Sequence, residues 1–177
     1  MDDATLLTSN LRLRLLDLNE SDHAVLYRRL YTCQQVMAEI GPPLTAEAAD
    51  AGFARVCRHN TLAAPGHRAW AVAGRQTGHA LGLVALHRRG SRAELGLMLA
   101  PEAWTGRISI EALAPAIDYG FAAMGLEYID AGCRDGRNTR VSRRLLAPFD
   151  FIPAPDPRPG FADWMLPRTR WLARSAA

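Results

Sequence analysis

Three short, apolar, β-rich runs follow one another in the middle of the chain, and only short turns separate them. The runs are Ala69 to Ala73, Leu81 to Leu86 and Ala93 to Leu99, with glycine-containing turns over residues 74–78 and 89–91. Strands joined by turns this short pair antiparallel, because a parallel connection needs a crossover of about a dozen residues or more. The sequence therefore predicts an antiparallel meander against which the other elements must pack.

One strand and two helices are predicted before this meander. Leu11, Leu13 and Leu15 alternate with arginines, which is the period-two pattern of a strand with one buried face. Apolar residues at helical spacing follow the polar segment 19–22 and extend to about Cys33. A second helix is expected from the capping residue Thr45 to about Val56.

The segments after the meander alternate between helix and strand. We predict a helix from Ile108 to Met124 that Pro115 kinks or deprives of one hydrogen bond and that Gly125 terminates. The later elements are a strand over Tyr128 to Cys133, a short helix over Val141 to Ala147, and strands over Phe149 to Ile152 and Phe161 to Leu166. This order predicts one α+β or α/β domain over residues 1–177, with a mixed, mostly antiparallel sheet of six or seven strands and helices on both faces.

Apolar runs, charge and cysteine spacing restrict the kinds of partner and ligand that the chain can bind. No apolar run approaches the roughly 20 residues that cross a bilayer, and the acidic N-terminus lacks the basic and apolar regions of a secretory signal, so we expect a cytoplasmic protein with no membrane partner. The net charge of +3 comes from arginine alone, since the chain has no lysine. Scattered arginines disfavour nucleic acid as a partner, and a phosphate-bearing cofactor suffices as the anion. The three cysteines lack metal-ligand spacing, so no metal is expected.

Several short segments match one known family in both their residues and their order along the chain. They are Leu11-Arg12-Leu13-Arg14, the segment 41–45, Arg92-Ala93-Glu94-Leu95-Gly96, the segment 99–102 with Trp104, Glu111-Ala112-Leu113, and Ser142, Arg144, Leu145, Leu146 and Phe151. These segments resemble the GNAT acetyltransferase family, in particular its RimJ/RimL-like branch. The resemblance implies a GNAT fold that is compatible with a homodimer. It also implies transfer of acetyl from acetyl-CoA, as co-substrate, to a primary amine of a protein N-terminus, a peptide or a small molecule.

The resemblance implies that acetyl-CoA lies against the end of the meander and the loop and helix that follow. The implied cofactor-binding residues are Leu97, Met98, Leu99, Trp104, Thr105, Gly106, Arg107, Ile108, Ser109, Asn138 and Ser142. In the family the phosphate loop has a basic residue before its glycine, whereas here Gly106 precedes Arg107. Two interpretations remain open at this point: Arg107 contacts the cofactor phosphates, or it fills the phosphate site or points to solvent. Asn138 contacts the pantetheine or is an ordinary turn residue.

Two side chains are the candidate catalytic residues. Glu94 is a general base for the amine if it faces the acceptor cleft, and otherwise it is a surface or ion-paired residue beside Arg92. Ser142 hydrogen-bonds the leaving sulfur or only caps its helix, since Leu146 stands where many family members have a general-acid tyrosine. His87 is a spare candidate base. The altered loop and the missing tyrosine also allow a binding or regulatory module without acetyl transfer, and a transferase of a larger acyl group is a further alternative.

The proline-rich segment Pro153 to Gly160 is expected to form a stiff rim over the acceptor side. Its exchange is expected to alter substrate choice more than cofactor affinity.

Overall fold

The computed structural model describes residues 5–38, 40–62, 66–104 and 107–175. The strands are β1 (Leu6–Leu7), β2 (Leu11–Leu15), β3 (Arg68–Gly74), β4 (Ala80–Arg89), β5 (Arg92–Leu99), β6 (Tyr128–Arg134), β7 (Ile152–Pro153) and β8 (Phe161–Pro167). The helices are α1 (Ser21–Thr32), α2 (Gln34–Met37), α3 (Ala46–Asn60), α4 (Arg107–Ala122), α5 (Thr139–Leu146) and α6 (Arg168–Ser175). These strands form one sheet in the order β1-β2-β3-β4-β5-β6-β8-β7. The described residues thus contain eight strands, where the sequence predicts six or seven.

The sheet is mixed, as predicted. The meander β3-β4-β5 is antiparallel throughout, and β5 and β6 are the parallel pair. A parallel neighbour needs a crossover connection, and α4 supplies it between β5 and β6. The parallel pair therefore lies at the centre of the sheet, with the meander on one side and β8 and β7 on the other.

Helices cover both faces of the sheet because its central strands, such as β3 and β4, carry apolar residues on both sides. On one face α4 packs against the side chains of β2 to β6, and Leu13, Trp70 and Ile117 there are fully buried. On the other face α1 and α3 cover a smaller cluster that includes Leu30 and Phe53. We call these the α4 face and the α1 face.

The longest helix, α4, has 16 residues and continues through Pro115. Proline removes one backbone donor, so the carbonyl of Glu111 lacks its usual partner four residues on, and the burial of the apolar side of α4 maintains the helix across this position. Gly125 follows the helix with a φ of +62° and acts as the predicted terminator. No helix in the described ranges combines the length and apolarity needed to cross a bilayer.

The predicted strand over Phe149 to Ile152 is wrong in its first half. Residues 147–149 form a 3-10 turn in which Phe149 is buried, and the strand comprises only Ile152 and Pro153. Asp150 causes the difference, because its φ of +68° lies in the left-handed region and turns the chain between Phe149 and Ile152. The short elements β1, α2 and α6 were not predicted, since their sequences are too short or too polar to show a period.

Glu111 of α4 binds the turn between β1 and β2. Its Oε1 accepts hydrogen bonds from Thr8 Oγ1 and from Asn10 N (2.7 Å), and its Oε2 accepts from Asn10 Nδ2 at 3.1 Å. Partial burial raises the pKa of this carboxyl, but the hydrogen bonds from Thr8 and Asn10 outweigh burial, and the net pKa is lowered. The stability that Glu111 contributes is therefore complete above the ordinary glutamate pKa and is lost as pH falls through the lowered value.

We expect Glu111→Ala to reduce the free energy of unfolding by about 1 kcal/mol at pH 7, because Thr8 and Asn10 lose a charged acceptor. The difference from wild type should shrink well below pH ~4.3, where the wild-type carboxyl becomes protonated. Urea unfolding at several pH values measures both effects. Glu127→Ala, which removes an exposed glutamate, is the control. Equal stability of the two variants at pH 7 would contradict this role of Glu111.

Candidate functional site

β5 and β6 diverge partway along their length. They pair only from Arg92 with Tyr128 to Glu94 with Asp130, although β5 continues to Leu99 and β6 to Arg134. Beyond Glu94, the edge of β5 that faces β6 has no strand partner there. The divergence therefore opens a cleft in the middle of the sheet, which we call the splay. Backbone groups at its edge are free to pair with an extended ligand.

An apolar cavity of about 160 Å³ occupies the α4 side of the splay. It is lined by Leu95, Leu97, Leu113, Ala131, Gly132, Ser142, Leu145, Leu146 and Trp164. Ser142 supplies the hydroxyl of this lining, and its backbone N–H is already bonded to the Asn138 carbonyl at 2.8 Å, as the first bond of α5. The structure thus brings the predicted residues Leu97 and Ser142 into one cavity. Leu146, at the position of the family's tyrosine, is buried in the same wall.

The other predicted cofactor-binding residues surround this cavity without lining it. Met98 points to the α1 face, so its backbone alone lies along the splay. Trp104 is half exposed, and its indole Nε1 donates to the Leu99 carbonyl at 2.9 Å. Asn138 is the N-cap residue of α5, and its side chain makes no capping hydrogen bond.

The start of α4 faces the same end of β5. Arg107 is the first residue of the helix and is exposed, Ile108 is partly buried, and Ser109 is buried. Thr105 and Gly106, the two other residues predicted for this loop, lie outside the described residues. The first turn of α4 carries no acidic side chain, so the positive end of its dipole is not neutralised from within that turn.

Glu94 lies on the α1 face of β5, opposite the cavity wall formed by Leu95 and Leu97. Its carboxylate is 3.5 Å from the guanidinium of Arg89 and 3.5 Å from that of Arg158. Arg92, the neighbour expected from the sequence, instead forms a bidentate pair with Asp130. Glu94 is therefore ion-paired and about one third exposed, at the point where the splay begins.

Arg158 comes from the proline-rich segment and is held in place from several sides. Its Nη2 donates to Asp163 Oδ1 at 2.7 Å, and its backbone N–H donates to Asp163 Oδ2 at 2.8 Å. Its guanidinium also stacks over the ring of Phe161, 4.5 Å from the centroid. These contacts fix the Arg158 guanidinium across β6 at Gly132, where it reaches Glu94. Bidentate pairing of this kind orients an arginine as well as binding it.

Three histidines contact one another in series, and the first of them, His87, neighbours Glu94. His87 pairs with Glu94 in the β4–β5 register, and its ring stacks on His67 with the centroids 3.7 Å apart. His59 contacts His67 edge-on at 4.5 Å. Burial, followed by the neighbouring His87 and His59, lowers the pKa of His67. His87, the spare candidate base, is thus exposed and adjacent to Glu94. Among the described residues, no cluster of histidine, cysteine and acidic side chains has the arrangement of a metal site.

Gly132 and Arg158 were not predicted as site residues. A Cβ added to Gly132 would overlap Asp163 Oδ1 and crowd Arg158 Nη2, so only glycine leaves room for this ion pair. Their proximity depends on the β6–β8 register, in which Gly132 pairs with Asp163. The only local signal was the proline-rich composition of the segment that carries Arg158.

We expect Gly132→Ala to displace Arg158 from Asp163 and Glu94 and to destabilise the fold by no more than about 1 kcal/mol, because the atoms that the new Cβ would meet are the ends of side chains that can move and the ion pair is partly exposed. Gly96→Ala is a matched control on the neighbouring strand, because a Cβ there meets no atom within 4 Å. Thermal unfolding and a crystal structure of each variant measure the effect. An unshifted Arg158 in the Gly132 variant would contradict the expectation.

A family profile and a related protein of known sequence both indicate that the chain belongs to one family. A profile of the family described as "Acetyltransferase (GNAT) domain" matches residues 12–147. A Bacillus subtilis (strain 168) protein described as the uncharacterized N-acetyltransferase YoaA is 31% identical over 85 residues, which make up 46% of this chain and 47% of that protein. The chain thus covers about half the length of the curated relative that it matches.

Solved structures share the fold at low identity. The spermidine N-acetyltransferase from Vibrio cholerae, solved with CoA and spermine, has a TM-score of 0.76 and 18% identity, with 93% of this chain and 99% of that chain covered. The ribosomal-protein-S5-alanine acetyltransferase from Vibrio fischeri has a TM-score of 0.75 and 18% identity, with 96% and 99% covered. At this identity the likeness establishes the fold and leaves the substrate open.

Proposed function

Because the chain belongs to the GNAT acetyltransferase family, we propose that it transfers acetyl from acetyl-CoA to a primary amine at the splay. The observation that carries the proposal is that the two sides of the splay differ. The α4 side has an apolar cavity with a single hydroxyl, Ser142, and the α1 side has the carboxylate of Glu94 between two guanidinium groups. A thioester bound from one side would meet an amine arriving from the other.

The residues at the splay suit acetyl-CoA. The apolar lining around Leu97 accommodates the acetyl group and the aliphatic part of the pantetheine, and the unpaired edge of residues 95–99 offers peptide groups to its amides. The N-terminal turn of α4 offers backbone N–H groups and a positive dipole end to the diphosphate. Acetyl-CoA supplies the activated acyl group, and the chain supplies its placement.

Arg107 contributes to the same site in this proposal. A cation at the first residue of a helix is disfavoured by about 0.3–1 kcal/mol, and a bound anion reverses the sign of that effect. The exposed guanidinium of Arg107 is free to approach a diphosphate at the start of α4. A charge-assisted contact from Arg107 would replace the backbone contact that the family obtains from a glycine at this position.

Glu94 and Ser142 have different roles in the proposed reaction. The amine nitrogen attacks the acetyl carbonyl, a C–N bond forms, and the C–S bond breaks. Glu94 accepts the proton that leaves the amine, directly or through water, while Arg158 and Arg89 orient its carboxylate. Ser142, in the cavity wall, donates a hydrogen bond to the departing sulfur of CoA, which leaves as a thiolate and takes its proton from water.

The acceptor in this proposal carries a single amine, as a peptide N-terminus or an amino-acid-like molecule does. The V. cholerae relative was solved with spermine and the V. fischeri relative is named for a ribosomal-protein alanine, so both acceptor classes occur on this fold. Around Glu94 the described residues bring two guanidinium groups to one carboxylate, which disfavours a polycation. Membership of the RimJ/RimL-like branch, a cytoplasmic location and a homodimer belong to the same proposal.

Calorimetric titration with acetyl-CoA tests the proposal. Saturable binding followed by amine-dependent release of CoA thiol supports an acetyltransferase, and propionyl-CoA in parallel tests a larger acyl group. Mass spectrometry of a peptide acceptor then shows whether the added acetyl group lies on its N-terminal amine or on a lysine side chain. Absence of binding at millimolar acetyl-CoA would instead leave a binding module on the same fold.

A further inference from the structure

A second cavity, larger than the one in the splay, lies toward the β1–β2 edge of the sheet. It has a volume of about 460 Å³ and is bounded by α1, β2, β3 and the β3–β4 turn. We call it the outer groove; Arg12, Arg14, His23, Arg29, Ala71 and Ala73 are among its lining residues. β4, whose first residue Ala80 also lines the groove, lies between β3 and β5. We propose that the outer groove binds a compact anion, a small molecule with a phosphate or carboxylate group, at a site distinct from the acetyl-transfer site.

The groove exists because small side chains form its floor. Ala71 and Ala73 of β3 and Ala80 at the start of β4 line it. Larger residues at these positions would fill the space with protein atoms, as Leu13 and Val72 do on the opposite face. The volume falls within the roughly 300–1,000 Å³ of small-molecule sites.

Arg12 is the main indication of an anion. It points away from the core because it alternates with Leu11 and Leu13 in β2, and its Nε is buried without a hydrogen-bond partner among the described residues. Arg68 also has an unpaired Nε, but its terminal nitrogens donate to the carbonyls of His59, His67 and Leu62. Arg12 makes no such bonds to described residues, and a buried donor without an acceptor is costly unless a ligand supplies one.

Neighbouring groups add donors and limit the charge of the ligand. His23 is 8% exposed, and its Nδ1 accepts from the backbone N–H of Asp17, which leaves Nε2 as the donor of the neutral ring. Arg14 lines the groove but is paired with Glu20 at 2.7 Å. Asp22 lines it as well, so three arginines face two carboxylates. This balance favours a mono- or dianion over a polyphosphate chain.

Arg29 links the groove to the segment that precedes the phosphate loop. Its guanidinium lines the groove, donates to the Ala80 carbonyl at 3.2 Å, and lies 3.2 Å from the carboxylate of Glu102. Glu102 belongs to the 3-10 turn that follows β5. An anion that draws Arg29 into the groove would therefore compete with Glu102 for the same guanidinium.

Titration calorimetry with two probes, inorganic phosphate and succinate, tests the proposal and distinguishes the two anion types. We expect saturable binding of at least one probe, weakened about tenfold or more in Arg12→Ala and largely restored in Arg12→Lys. Arg55→Ala is the matched control, because it removes an exposed arginine of α3 outside the groove. Acetyl-CoA affinity should be unchanged in the Arg12 variants, which separates this site from the splay.

A second variant distinguishes the loss of the binding site from a folding defect in Arg12→Ala. Ala73→Phe fills the floor of the groove while Arg12 stays in place, so it should abolish probe binding without loss of the cooperative unfolding transition. Binding of neither probe at millimolar concentration, or equal affinity of wild type and Arg12→Ala, would overturn the proposal whether or not acetyl-CoA binds.

Discussion

Glu94→Gln is expected to lower the turnover number of acetyl transfer by about 100-fold or more and to leave the dissociation constant of acetyl-CoA unchanged. The amide keeps the size of the carboxylate but cannot accept the proton that leaves the amine. The side chain lies on the α1 face of β5, away from the cavity proposed for the thioester, so cofactor binding should not depend on it. Steady-state CoA release and acetyl-CoA calorimetry measure the two quantities separately.

The controls for this variant use the neighbours of Glu94. Glu127→Gln removes an exposed carboxylate elsewhere and should retain wild-type turnover. Arg158→Gln leaves the base in place without one of its orienting cations, so it should reduce turnover less than Glu94→Gln does. Full activity of Glu94→Gln would transfer the role of base to another group, with the adjacent His87 as the first to test.

Ala131→Phe is expected to weaken acetyl-CoA binding on the order of 100-fold, equivalent to about 2.7 kcal/mol. Ala131 is buried in the wall of the splay cavity, whose volume is only about 160 Å³, so an aromatic ring at this position would occupy the space proposed for the acetyl group and the pantetheine. Calorimetry with acetyl-CoA measures the loss, and circular dichroism and thermal unfolding verify that the variant is folded.

Ala73→Phe is the reciprocal control for this substitution. It introduces the same ring into the outer groove, beyond β4, and should leave acetyl-CoA affinity at the wild-type level. Should both alanine variants lose acetyl-CoA affinity equally, the effect would come from general overpacking and not from occupation of the splay. Wild-type affinity in Ala131→Phe would exclude the splay cavity as the acyl site.

Local patterns were sufficient to predict the main elements of the fold. The meander followed from apolar runs and glycine turns, and the helix α4 followed from its spacing, although Pro115 argued for a kink or a lost hydrogen bond. The elements that escaped prediction depend on contacts distant in sequence: Leu6 forms an edge strand only because it pairs with Leu13. The first half of the predicted strand over Phe149 to Ile152 failed for a local reason, the left-handed backbone of Asp150, which sequence patterns do not reveal in a non-glycine residue.

The family pattern and the strand period indicated which residues lie near the candidate site, and the roles of those residues there stay predictions. Leu97 and Ser142 do meet in one cavity, and Glu94 does lie on the opposite face of β5 at the start of the splay. The position of Arg158 was not predictable, because it requires the β6–β8 register and the space above Gly132. The outer groove was not predictable either, because alanines on separate strands make a cavity only once the strands are paired.

A crystal structure of the protein with acetyl-CoA tests most directly the proposal that acetyl transfer takes place at the splay. We expect the pantetheine to extend along residues 97–99 between β5 and β6, with the diphosphate at the backbone N–H groups of residues 107–109 and the Arg107 guanidinium beside it. An Arg107 side chain folded into that position, with the acyl group absent from the splay at saturating ligand, would contradict acetyl transfer and leave the fold alone.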